Sequence, residues 1–218
     1  MGKKILAIVL VLIIAFGGVG GYFAYQKYYL PLKAYNNAVS LYEDGKYSDA
    51  IKEFSHMIGY KDSRKYIYDM YKLYAGEDFV NESTHALAYL NSCIESTANK
   101  VVTEVYSGNT DGSLSVDTSS SNYISMRNSA SNLEEMKAEF DDLFTNEIID
   151  ACNDEKLKSA KSNYIQLFND EIKMYNELFI ANAIVDMING SGSSYETSLS
   201  LLETDMESYS NTYKELGE

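Results

Sequence analysis

Two histidines carry the sharpest chemical pattern in the 218 residues, and both belong to Glu-x-x-His: Glu53-Phe54-Ser55-His56 and Glu82-Ser83-Thr84-His85. Two such pairs with two further helical Glu can build a di-iron centre in a bundle core. Here Glu53 and His56 sit on the polar side of a helix, beside its packing positions. Glu82 falls at a helix start, and 32 acids make the spacing easy to reach by chance. No metal is expected. Asn109, Asp111, Ser113 and Asp117 recur at calcium-loop intervals, but the turn glycine is misplaced and the twelfth-position Glu is missing. Adjacent carboxylates such as Glu134-Glu135 and Asp141-Asp142 read as solvated surface charge. Cys93 and Cys152 stand 59 apart with no CxxC. They form either one disulfide of an exported domain or two small buried hydrophobes. No nucleophilic triad and no glycine-rich phosphate loop is present, so neither an enzyme nor a cofactor is expected.

Tyrosine is the remaining candidate chemistry. Twelve of the 20 tyrosines lie between Tyr22 and Tyr74. Packing and a membrane-interface belt account for most of them, and exposed tyrosines mark binding surfaces. A partner site is expected on Tyr66, Tyr68, Tyr71 and Tyr74. Tyr68 and Tyr71 share one helix face, Tyr66 and Tyr74 another, and one of the two faces must pack.

The element that places everything else is Ile5 to Tyr25, which holds no charge over 21 positions. As a helix it would be about 31 Å long, close to the hydrocarbon thickness of a bilayer. Lys3 and Lys4 precede it, as in export signals. The expected topology is a single pass with a cytoplasmic amino terminus and residues 28–218 outside the cell membrane. Ala15-Phe16-Gly17 leaves cleavage as the alternative to a retained anchor, which the apolar character beyond it favours. Gly17 and Gly21 would allow two copies to approach into a homo-oligomer; a plain glycine-rich tail is the simpler reading. All 32 acids follow Tyr29 with 15 of the 18 bases, so the remainder stands near −17. That excludes nucleic acid as a partner, since phosphate binding needs basic patches.

One proline, at position 31, leaves helices uninterrupted, and sparse Val and Ile disfavour sheet. The spacing places one helix over Ala34–Tyr42 ended by Gly45. A second is capped by Ser48, and a third is capped by Asp62 or Ser63 and stopped by Gly76. Ala38-x-x-Leu41-x-x-x-Gly45-x-Tyr47-x-x-Ala50-Ile51-x-x-Phe54 resembles the tetratricopeptide repeat. The following Gly59-Tyr60-Lys61-Asp62-Ser63 is similar to a form of repeat end in membrane-anchored bacterial envelope proteins. The resemblance covers about residues 34–63 and implies an antiparallel helical pair; it names no ligand. A second copy does not follow, because Asp78 and Asn81 stand where Tyr and Ala would be required.

Beyond residue 80, apolar residues step by three and four in four segments. The first is capped by Asn81 or Ser83 and runs through Val105. The second runs from Leu133 to Ile148. The third covers residues 154–189, and the fourth follows a Ser193-x-x-Glu196 capping box. An antiparallel four-helix bundle is the economical solution, with a long coiled-coil hairpin as the alternative.

The expected organisation is all-α. It comprises an anchor with flanks (1–29), a repeat-like helical domain (30–79), and a helical bundle (80–218) with an exposed loop over 107–121. The expected role is a non-catalytic, membrane-anchored scaffold or adaptor for protein partners at the cell envelope. A small-ligand-binding or sensory module that signals through a membrane partner is the alternative.

Overall fold

A computed structural model describes residues 22–23, 25–108, 114–191 and 193–217. The described residues are mostly helical, with no strand among them. No helix among them is long and apolar enough to cross a membrane. The apolar run at 5–25 lies outside the described residues except for Tyr22, Phe23 and Tyr25, which are exposed. Gly17 and Gly21 also lie outside. Two compact units divide between Ile67 and Tyr68.

In the first unit a π-helical turn at Tyr25–Tyr29 leads into α1 (Leu30–Glu43), with Pro31 in its first turn, where a missing N–H costs nothing. Gly45, at φ +74°, turns the chain into α2 (Tyr47–Ser55). That helix starts before the expected Ser48 cap: Lys46 holds the cap position, and its side chain makes no capping bond. Ala38 and Ala50 are wholly buried, so the two backbones approach closely. Ring contacts of Tyr42 with Tyr47 and of Tyr35 with Phe54 pair residues progressively farther from the turn, the mark of an antiparallel hairpin. Tyr66, early in α3 (Ser63–Tyr74), stacks on Phe54 with centroids 4.8 Å apart and meets Tyr42 edge-on at 4.9 Å. The link into α3 is tight. Lys61 has φ +47°, its ammonium lies 4.7 Å from the Tyr35 ring centroid, and the Ser63 hydroxyl donates to the Tyr60 carbonyl at 2.7 Å.

The second unit begins inside α3 at Tyr68. It contains α4 (Glu77–Tyr106), α5 (Ser121–Leu143), α6 (Asn146–Cys152), α7 (Glu155–Met174), α8 (Glu177–Asn189) and α9 (Ser193–Glu215). Packing runs in a closed circuit, α4 on α5, α5 on α7, α7 on α9, α9 on α8 and α8 on α4. Asn132 bonds Glu82 and Lys100 pairs with Asp117, so α4 and α5 are antiparallel. Asn163 with Ser208 and Lys156 with Glu215 set the same relation for α7 and α9.

This circuit of five long helices replaces the expected four, because polar caps break two of the apolar stripes. Thr145 accepts from the Ile148 N–H and starts α6; Asn176 accepts from the Phe179 N–H and starts α8. The start of α4 is also corrected. Neither Asn81 nor Ser83 caps it, since Gly76 holds the N-cap and the helix is already formed at Glu77.

Candidate functional site

The centre of the second unit is aromatic. The wholly buried Phe79 ring lies 4.5 Å from Tyr164, and Tyr164 lies 4.3 Å from Phe140. Phe140 stacks on Phe144, and Tyr71 meets both edge-on. Tyr209 closes the cluster against Phe79 at 6.0 Å. Burial this complete raises the phenol pKa of Tyr71, Tyr164 and Tyr209, because a phenolate would have no solvent. The Tyr71 hydroxyl donates to the Ala160 carbonyl at 2.8 Å, whereas those of Tyr164 and Tyr209 have no hydrogen-bond partner among the described residues.

On the outer side of this cluster lies a groove of about 420 Å³. Gly76, Glu77 and Val80 at the start of α4 form one wall; Met206, Tyr209, Ser210 and Tyr213 of α9 form the other. Its surface is mainly apolar, and its volume falls in the range of small-molecule pockets. Gly76 is required here. A Cβ at that position would stand 2.1 Å from the Lys72 carbonyl oxygen and 3.3 Å from the Tyr213 hydroxyl. The Lys72 ammonium lies 6.0 Å from the Tyr213 ring centroid, within cation–π reach.

Buried ionisable groups form a second set. Glu171 is 1% exposed, and one oxygen accepts from the Tyr175 hydroxyl. The Ser83 hydroxyl approaches the same carboxyl in a geometry that satisfies neither it nor Glu171 Oε2. Burial raises the Glu171 pKa, opposed by the Tyr175 and Ser83 hydroxyls. Lys161 donates to the Phe144 carbonyl at the end of α5 and to Asn146 Oδ1 at 3.0 Å; burial lowers its pKa. Asp154 caps α7 through the Leu157 N–H at 3.1 Å and accepts from the Tyr68 hydroxyl at 2.9 Å.

The four tyrosines singled out in the sequence are not a single exposed patch. Tyr71 is wholly buried, so it offers no surface to a partner. Tyr66 is half-buried in the aromatic packing of the first unit, and Tyr68 and Tyr74 are half-buried in the second. Next to Tyr74, Leu73 is 57% exposed.

His56 and His85 are both exposed and fall in different units. Among the described residues no three His, Cys, Asp or Glu side chains could together hold a metal ion. Asn109, Asp111 and Ser113 lie outside the described residues; Asp117 accepts from the Ser119 N–H at 3.1 Å and from its hydroxyl. Cys93 and Cys152 are free and buried, and burial pushes the Cys152 thiol up to about 11.

Tyr164, Tyr175 and Tyr209 fall on the three-and-four apolar stripes of their segments. Nothing in that pattern marked Gly76 as a groove residue, or Ser83, Glu171 and Lys161 as buried polar groups. Compared with family models, with curated proteins and with solved structures, the chain matches none.

Proposed function

We infer that the chain is a non-catalytic, membrane-tethered helical module whose residues 28–218 face outward and bind a protein partner at the cell envelope. The observation that carries this reading is how the buried ionisable groups are used. Lys161 caps one helix, Asp154 starts another, and Glu171 holds Tyr175. The Lys161 and Asp154 bonds serve architecture, which fits a domain that works through its surface. The uncharged run from Ile5 to Tyr25 supports the tether, and the resemblance to a tetratricopeptide repeat supports a protein partner. With Tyr71 buried, the proposed contact on α3 is the exposed Leu73 with the neighbouring Tyr74.

Protease added to intact, wall-stripped cells tests the topology. Digestion of residues 28–218 is expected, and full protection would invert it. Crosslinking in such cells tests the surface: Leu73→Asp should reduce partner capture with the melting temperature held. Capture that falls only in proportion to folded protein would remove this face.

The groove between Gly76 and Tyr213 favours a second reading, a small-ligand-binding module that signals through a membrane partner. Filling it with Ser210→Phe should abolish ligand-dependent signalling without unfolding the second unit.

A further inference from the structure

We propose that the groove lined by Val80, Met206, Tyr209 and Tyr213 takes a small organic cation: an ammonium group on a compact apolar body. This rests on the second reading above, that a ligand occupies the groove, and names its chemical class.

Four observations converge on a cation. The half-buried Tyr213 ring, the Met206 thioether and the edge of the enclosed Tyr209 line the α9 wall, and aromatic faces attract ammonium groups through their negative quadrupole. Glu77 is the acidic residue of the opposite wall, and among the described lining residues none is basic, the nearest ammonium being that of Lys72 on the Tyr213 ring. The Tyr213 ring already draws a cation, the Lys72 ammonium at 6.0 Å, so the ring is electrostatically suited to the task. The excess of acids beyond Tyr29 concentrates small cations around the whole soluble part. Gly76 keeps the end of the groove open, since any side chain there meets the Lys72 carbonyl and the Tyr213 hydroxyl. An anion would meet the acidic Glu77 at the opposite wall.

Lys72 gives the proposal a distinctive consequence. Its ammonium competes for the Tyr213 ring, so removing it should strengthen binding. For an anionic ligand the same change would weaken it.

The test uses the full chain in zwitterionic nanodiscs, titrated calorimetrically with benzyltrimethylammonium and with benzyl alcohol as the uncharged comparison; empty nanodiscs give the baseline. Saturable binding of the cation is expected, at least tenfold tighter than the alcohol. Glu77→Gln should weaken the cation at least fivefold, Ser210→Phe should abolish binding, and Lys72→Gln should tighten the cation two- to threefold. Glu77 and Lys72 lie outside the buried core, so these two variants report binding even if Ser210→Phe fails to fold. Equal affinity for cation and alcohol, with both lost in Ser210→Phe, would overturn the cation while the ligand reading stands. No saturable binding of either probe, or cation binding unchanged by Glu77→Gln and Lys72→Gln, would overturn the proposal itself.

Discussion

The two units use the same residue in opposite ways. In the first, Tyr42, Tyr47, Tyr60 and Tyr66 are half-buried in a chain of ring contacts that runs through Tyr35 and Phe54. In the second, Tyr71, Tyr164, Tyr175 and Tyr209 are buried almost completely, hydroxyls included. The difference follows from size. A small helical unit has little interior, so an amphipathic ring at the edge covers apolar surface without stranding its oxygen. A circuit of five long helices can enclose whole phenols. It must then find partners for their hydroxyls, and it does so for Tyr71 and Tyr175 but not for Tyr164 and Tyr209.

That contrast can be broken most forcefully at Phe54. Phe54→Ala should cost about 3–5 kcal/mol, on the scale of a small unit's whole stability. Hydrogen exchange should show α1 and α2 losing protection while α4 to α9 keep theirs. Common loss in both units would mean that the division at Ile67 is not energetic. Tyr71→Ala removes a comparable ring from the larger core and should also cost about 3–5 kcal/mol. Here the outcome is a lowered denaturation midpoint with a cooperative transition retained. Gly76→Ala forces a Cβ against the Lys72 carbonyl and should cost about 1–3 kcal/mol, measured the same way. No cost at this position would mean that the α3–α4 junction shifts freely.

Glu171 sharpens the comparison through pH. Its folded pKa lies above the ordinary glutamate value because burial disfavours the anion. As pH rises the unfolded chain ionises first. The stability contributed by the protonated form is therefore complete below the unfolded pKa and is lost as pH rises through the folded one. The advantage of Glu171→Gln over the parent should accordingly grow from acid to neutral pH in parallel denaturation series. A gap that shrinks would reverse the assignment.

The smallest effect separates the two kinds of buried tyrosine. Tyr71→Phe should cost about 1 kcal/mol, since it loses a hydrogen bond, while Tyr209→Phe should be neutral or stabilising by about 1 kcal/mol. Equal losses in the two variants would show that Tyr209 has a partner.

Helical class and most core positions were legible because a period of 3.6 is written over long stretches, and Leu90, Leu133, Leu157 and Leu202 are all buried. Helix breaks were less legible. Thr145 and Asn176 sit inside apolar stripes, and only their backbone geometry turns them into caps. The start of α4 was hidden because glycine commonly ends helices, and Gly76 instead caps the next one directly. The reading of α3 had one of its two tyrosine faces packed, and composition could not say which ring meets Phe140. The groove was not legible at all, since its walls lie more than 120 residues apart in sequence.

The enclosed phenols give the chain an optical consequence. It has no tryptophan, so tyrosine dominates its near-ultraviolet signal. Tyr71, Tyr164, Tyr175 and Tyr209 resist ionisation while enclosed, because each phenolate would have to form away from water. In an alkaline jump their phenolate absorbance should therefore develop at the rate at which the second unit opens. The unit thus carries its own clock, readable at a single wavelength without any label.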